Sequence, residues 1–147
     1  MEYSLRPPSK SDKAWLDNLH RAAYRDLFDA TWGGWDEGRH IQHFTDSWDA
    51  GSISIILVNQ VPVGMIQLLE ADDEVEIAEI QILPDQQNRG LGAQVIEDVI
   101  KSARKRYKRL SPQLGLKNIG AFRLYERLGF QEVRRSETHI FMKHDSA

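Results

Sequence analysis

Hydrophobic positions along the chain follow two periods, and each change of period marks the edge of an element. Residues 3–6 (YSLR) read as a short strand that Pro7 and Pro8 stop. Ser9 or Ser11 can cap a helix in which Trp15, Leu16, Leu19, Ala22 and Ala23 recur at helical spacing. Gly33-Gly34 interrupts it, and a second helix is predicted over 36–48. The period then shortens to two. SISIILV at 52–58 is β-branched, and Asn59-Gln60 suits a tight turn into PVGMIQLL at 62–69. A turn at 71–73 leads to VEIAEIQIL at 75–83, the third strand of an antiparallel meander.

After the turn QQNRGLG the helical period returns. Val95, Ile96, Val99, Ile100 and Ala103 share one face, as in a helix packed on a sheet. Residues 110–116 read as a strand whose ladder Pro112 weakens. Asn118 caps a helix carrying Ala121, Phe122, Tyr125 and Leu128, and Gly129 ends it. Residues 130–133 and 138–143 supply the last strands, paired as a hairpin. This order predicts an α/β fold with a mixed sheet. The strand–helix–strand unit over 75–116 is a parallel crossover, expected to be right-handed.

With 147 residues, one domain over 1–147 with a single sizeable core is expected. A net charge of −3 leaves no broad basic surface, which argues against nucleic acid as the main partner. No apolar run approaches the roughly 18 residues that suggest a membrane span, and MEYSLRPPSK lacks the apolar stretch of a signal peptide. The absence of cysteine excludes disulfides, thiolate metal sites and thiol nucleophiles on the chain. A cytoplasmic protein away from membranes is the expectation.

The stretch QQNRGLGAQVIEDVI at 86–100 carries the most chemistry. A dinucleotide fingerprint fails because its third glycine position is Val95, and a P-loop fails because no Gly-Lys-Ser/Thr follows. What remains is the start of a helix. Successive N–H groups from Asn88 to Ala93 lack intrahelical partners, the dipole there is positive, and two glycines keep Cβ atoms out of the way. Arg89 adds positive charge, with Asp85 as the one acid nearby. A pyrophosphate suits such a place. The competing reading is that the glycines serve only a tight strand-to-helix turn.

Two motifs carry a resemblance. Pro84-x-x-Gln87-x-x-Gly90-x-Gly92 resembles the acetyl-CoA signature Q/R-x-x-G-x-G/A of the GNAT superfamily of N-acetyltransferases. NIGAFRLYERLGF at 118–130 resembles that family's N-x-x-A-x-x-h-Y-x-x-h-G-F segment, where h is apolar. The motifs stand in the family's order, with its elements between them, over residues 75–130. WGGWDEGRH at 32–40 is similar to a Trp-Gly-Trp-like stretch of a bacterial subgroup whose acceptors are mostly unassigned.

The resemblance implies a GNAT fold, a mixed central sheet with a splayed parallel strand pair flanked by helices. It also implies transfer of an acetyl group from acetyl-CoA to a primary amine of a small molecule, peptide or protein, by direct attack in a ternary complex. Acetyl-CoA is then the cosubstrate, and no metal is called for. By motif position, Ile80, Gln81, Ile82 and Leu83 offer a strand edge to the pantetheine arm. Gln87, Asn88, Arg89, Gly90, Leu91, Gly92 and Ala93 hold the pyrophosphate, and Asn118 contacts the cofactor region while capping its helix. Pro112 becomes intelligible, since a strand that diverges from its neighbour can give up an N–H. Tyr125 matches the tyrosine that lies near the cofactor sulfur and donates a proton to the leaving thiolate. Its other reading is a core aromatic, and both can hold.

The amine, with an unperturbed pKa of about 10.4 if it is lysine-like, must lose a proton before attacking. Glu79 lies nearer the reacting end, which favours it as the base, and Glu76 lies eleven positions before Gln87, where some histone-acetylating members carry a general base. Alternation puts Glu74 and Glu76 on one face and Glu79 with Gln81 on the other, unless the bulge this strand carries in the family changes the phase. Each is also readable as a solvated strand charge, and a water chain to a backbone carbonyl could serve instead. Trp32, Trp35 and His40 fall in the variable region that forms the acceptor wall in the family, or they form a helix-packing cluster. His40 and His43 share a helix face, but two histidines make no metal site. The six Lys and Arg between Lys101 and Arg109 read as a solvated helix end. A C-terminal strand edge is compatible with a homodimer. A non-catalytic acyl-CoA-binding sensor is the reading from a different class.

Overall fold

The computed structural model describes residues 2–144. These form β1 (Ser4–Arg6), α1 (Lys13–Trp32), α2 (Glu37–Ala50), β2 (Ile53–Val58), β3 (Val61–Glu70), β4 (Glu74–Ile82), α3 (Leu91–Lys105), β5 (Arg109–Gly115), α4 (Ile119–Arg127), β6 (Phe130–Arg135) and β7 (His139–His144). Turns of 3-10 helix at Lys10–Asp12 and Pro84–Gln86 precede α1 and α3. The strand order is β1-β2-β3-β4-β5-β7-β6, with β4 and β5 parallel. Among the described residues no helix is long and apolar enough to cross a membrane. The chain divides into two compact units, one running to Gln67 and including Ile80–Gln87, the other Leu68–Glu79 with the chain from Asn88 onward.

In the first unit, α1 and α2 form from the two amphipathic stretches and bury their apolar faces. Leu16, Leu19 and Phe44 pack with Ile53, Ile55, Leu57 and Met65, and Trp15, Trp48 and Leu83 lie against them. Fully burying a side chain of this kind contributes about 1.5–3 kcal/mol. Ser9 stands ahead of the 3-10 turn, where the Asp12 carboxylate accepts its backbone N–H at 2.8 Å and both arms of the Arg6 guanidinium at 2.8 and 3.0 Å. Asp36 caps α2 by accepting the Arg39 N–H at 3.1 Å. Asn59 and Gln60, with φ of 53° and 66°, make the tight turn between β2 and β3. Gly64 is needed where it stands, because a Cβ there would collide with the Gln81 carbonyl oxygen of β4.

In the second unit, all five residues read from the helical period of α3 are buried, as are Val75 and Ile77 of β4 and Leu110 and Leu114 of β5. Burial alternates residue by residue along β4, with Val75, Ile77, Glu79 and Gln81 on the buried phase. β4 and β5 pair from Glu74 with Arg109 to Ile77 with Pro112. From Gln113 onward β5 has β7 as its register partner instead. Pro112 therefore sits at the last parallel pair before β5 changes company, where a missing N–H costs little. β6 and β7 form the expected hairpin, but β7, the later strand, lies next to β5. The burial patterns explain this order. β7 buries Ile140 and Met142 between two neighbours, whereas β6 buries Phe130 alone and takes the edge.

Candidate active site

The turn after β4 is built by local geometry. Leu83 donates its N–H to the Val63 carbonyl at 2.8 Å, and the 3-10 turn closes with Gln86 N–H on the Leu83 carbonyl at 2.8 Å. Asn88 (φ 62°) and Gly90 (φ 83°) then swing the chain into α3. Residues 87–90 are exposed while Leu91 is buried, so the turn is anchored from the helix side. The first intrahelical bond runs from Gln94 N–H to the Gly90 carbonyl at 3.0 Å. The N–H groups of Leu91, Gly92 and Ala93 therefore have no acceptor within the helix, and Gly90 supplies no side-chain cap.

The two glycines differ in what the chain itself demands. Gly90 needs its left-handed φ of 83°. Gly92 is helical, and a Cβ there would meet only Leu124 Cδ2 at 3.7 Å, an ordinary contact. A helical glycine costs roughly 1 kcal/mol relative to alanine, and neither conformation nor packing repays it at 92.

Of the strand edge assigned to the pantetheine arm, the Ile82 carbonyl and the Leu83 N–H have partners. The Gln87 side chain donates Nε2–H to the Ile82 carbonyl at 2.9 Å, and the Leu83 N–H is held by Val63 as described. On α4, Asn118 accepts the Ala121 N–H at 3.2 Å, which makes it the helix cap. Tyr125 is buried with its ring edge-on to Phe130 at 5.2 Å, and burial pushes its hydroxyl pKa above the ordinary value of 10.0. The hydroxyl stays protonated at neutral pH.

The three β4 carboxylates sit in different surroundings. Glu74 accepts the Ser111 hydroxyl at 2.5 Å and lies 3.6 Å from Arg109. Glu79 is buried, at 7% exposure. Glu76 is half-buried, and its one hydrogen bond among the described residues is a long one, from Gln113 Nε2 at 3.5 Å. Burial and then the neighbouring Glu74 charge raise its pKa above the usual carboxylate value. Glu74 and Glu76 line a cleft of about 340 Å³ in the second unit, together with Gln113, Arg134, Phe141 and Lys143. Those last four residues went unread in the sequence. Only strand register assembles them, and none of the four falls in either motif.

The aromatic and histidine residues of the first unit form a packed cluster. Trp35 stacks on Phe28 (4.7 Å, 25°) and lies 5.2 Å from the His40 ring. His40, 1% exposed, has Nε2 2.6 Å from Asp17 Oδ1. Asp17 Oδ2 accepts Arg21 Nε–H at 2.9 Å, and Arg21 also pairs with Glu37 at 2.7 Å. Burial alone would raise the Asp17 carboxyl, but the bonds from His40 and Arg21 hold it below its usual range. Trp32 is 40% exposed, with the Arg39 guanidinium 4.6 Å over its ring. Helix packing thus accounts for Trp35 and His40, and Trp32 is the exposed one of the three.

Comparison with known proteins agrees with this geometry. The model of the acetyltransferase (GNAT) family matches residues 17–130. An uncharacterised N-acetyltransferase of Methanocaldococcus jannaschii is 30% identical over 146 aligned residues, which cover 88% of this chain and 61% of that protein. The chain thus spans about three-fifths of that relative's length. The PaiA N-acetyltransferase of Thermoplasma acidophilum, solved in complex with coenzyme A, superposes with a TM-score of 0.76 at 15% identity, covering 99% of this chain and 100% of that one. Naa50 of Arabidopsis thaliana, solved with the bisubstrate analogue CoA-Ac-MVNAL, gives 0.68 at 15% identity, over 99% and 100%. At such identities the likeness establishes the fold, which is the one expected from the two motifs. The chain belongs to the acetyltransferase (GNAT) family.

Proposed function

We propose that the chain is one N-acetyltransferase domain, spanning 1–147, that transfers an acetyl group from acetyl-CoA to a primary amine within a ternary complex. The observation that carries this reading is Gly92, a glycine that the free chain does not need, at the open N-terminus of α3. A phosphate group approaching the N–H groups of Leu91, Gly92 and Ala93 would use the missing side chain. The coenzyme A bound to PaiA and the CoA–peptide conjugate bound to Naa50 support the same class of cosubstrate and acceptor.

In this reading the residues from Gln87 to Ala93 take the pyrophosphate, with Arg89 as counter-charge and Asn118 close to the cofactor region. The edge at 80–83 pairs with the pantetheine arm; of its groups, the Ile82 carbonyl and the Leu83 N–H are engaged within the chain. The acceptor ammonium loses one proton to Glu76, directly or through water. The neutral nitrogen attacks the thioester carbonyl, the C–N bond forms and the C–S bond breaks. The second nitrogen proton ends on the thiolate by way of Tyr125, and CoA leaves as a thiol. A raised carboxylate pKa makes Glu76 a better-matched base near neutral pH. Glu79 is the second choice, because it is buried on the same strand. Trp32, the exposed one of the three, is retained as an acceptor-side residue. The cysteine-free sequence fits a cytoplasmic location, and the exposed outer strand β6 supports a homodimer.

The test is thiol release from acetyl-CoA with a panel of primary amines, run beside thermal melting with acetyl-CoA. Turnover with some amines and a raised midpoint are expected. A raised midpoint with no turnover on any amine would make the protein an acyl-CoA-binding sensor.

A further inference from the structure

The cleft of the second unit has opposite charges at its two ends, and its floor follows from register. Glu76 faces Ser111 across the parallel pair, Gln113 faces Phe141, and Phe141 faces Arg134. The floor therefore runs from a carboxylate on β4, past an amide on β5 and an aromatic ring on β7, to a guanidinium on β6. The Arg134 guanidinium lies 3.7 Å over the Phe141 ring, and Lys143 lines the same end. Adjacent strands are about 4.8 Å apart, so the two ends are separated by roughly 14 Å at the backbone, less where the side chains lean inward.

The charges at these ends are incompletely matched. Glu74 has the Ser111 hydroxyl and Arg109, but among the described residues Glu76 has only the long Gln113 contact and a like charge beside it. At the far end, no carboxylate among the described residues pairs with Arg134 or Lys143. A bound cation would relieve the first end and a bound anion the second. Phe141 between them is half-buried with the Arg134 guanidinium over its ring, and the part that Arg134 leaves uncovered offers apolar surface to a hydrocarbon chain. The volume of about 340 Å³ is at the small end of ligand pockets, the size range of an amino acid rather than a folded partner.

We propose that this cleft is the acceptor pocket, and that the acceptor is a small zwitterion whose primary amine and carboxylate are separated by several methylenes, of the ω-amino-acid or free-lysine type. Its ammonium lies at Glu76, its methylenes on Phe141, and its carboxylate against Arg134 and Lys143. The assignment rests on the acetyl-transfer reading above and follows the same bond changes, with the ω-nitrogen as nucleophile.

The experiment measures thiol release from acetyl-CoA with 6-aminohexanoate, L-lysine, n-hexylamine and 1,5-diaminopentane. The zwitterions are expected to show kcat/KM at least tenfold above n-hexylamine and above the diamine. In Arg134→Gln the rise should fall on KM for 6-aminohexanoate, and its advantage over n-hexylamine should collapse to within a few-fold. Arg134→Lys should recover part of that advantage. Equal turnover of all four amines, or preference for the diamine, overturns the proposal while leaving acetyl transfer standing. An advantage for the zwitterions that survives in Arg134→Gln also overturns it. Thiol release with none of a wider amine panel would instead sink the acetyl-transfer reading itself.

Discussion

Asp17 and Glu76 are both partly buried carboxylates, and the chain treats them in opposite ways. Asp17 is held by His40 at 2.6 Å and Arg21 at 2.9 Å, and its pKa is lowered despite burial. Glu76 has a 3.5 Å amide contact and a like-charged neighbour, and its pKa is raised. One charge is matched within the fold and contributes to holding α1 against α2. The other costs stability where it stands, which is the state expected of a group that waits for a ligand. The same division separates the glycines: Gly64 answers to the Gln81 carbonyl, and among the described residues nothing crowds Gly92. Internal matching is the mark of a structural residue, and its absence in an open, ordered place is the mark of a functional one.

The largest break in this comparison should come at Gly92. Gly92→Asp places bulk and negative charge where the pyrophosphate is proposed to sit. Losing one or two charge-assisted hydrogen bonds there should weaken acetyl-CoA binding on the order of 100-fold, read by calorimetry, and abolish thermal protection by acetyl-CoA. Gly92→Ala should be neutral or slightly stabilising in the free protein. Unchanged affinity in a folded Gly92→Asp protein would remove the turn from the cofactor site.

Glu76→Gln should lower kcat/KM by about 10² at neutral pH, with the deficit shrinking at high pH as more amine is already neutral. Its effect on stability should have the opposite sign. The folded carboxyl titrates above its unfolded value of about 4.3, so stability falls as the pH rises through that interval. The Gln variant escapes this loss, and its melting midpoint at pH 7 should equal or exceed wild type. Glu79→Gln, measured in parallel, tests the second choice. If neither pH–rate profile departs from wild type, no β4 carboxylate is the base.

Tyr125→Phe keeps the ring that packs on Phe130 and removes the proton. A fall in kcat of roughly tenfold or more is expected, with CoA affinity kept within a few-fold. Wild-type turnover would reduce Tyr125 to a packing residue.

The smallest functional change should come from Asp17→Asn, which breaks the matched side of the comparison. Weakening its bonds to His40 and Arg21 should cost about 1–2 kcal/mol, or roughly 3–8 °C in Tm, with kcat/KM within a few-fold of wild type. Because the Asp17 carboxyl titrates below its unfolded value of about 3.9, its contribution is complete above that pH and is lost as the pH falls through the folded value. The gap between variant and wild type should therefore narrow as the pH falls below about 4 and close below the folded value. A gap that persists in acid would show that packing, not charge, is what Asp17 supplies.

The sequence by itself determined the elements, because each rests on local physics. The period of α3, the capping of α4 by Asn118, the turn at Asn59-Gln60 and the left-handed glycines Gly90 and Gly129 all need only near neighbours. Pro112 by itself announced only a weakened ladder; that it marks the place where the parallel pair parts came from the resemblance to the family. Tertiary structure decided what depends on pairing between distant residues. It placed β7 between β5 and β6, since that choice turns on which of two strands has two faces to bury. It separated Glu74 from Glu76, identical side chains two positions apart, by giving one of them Ser111 and Arg109. It also brought Arg134 and Phe141 into line with Glu76, across strands whose register no local pattern encodes. A side chain's conformation is set by its neighbours in sequence, but the balance of its charge is set by its neighbours in space.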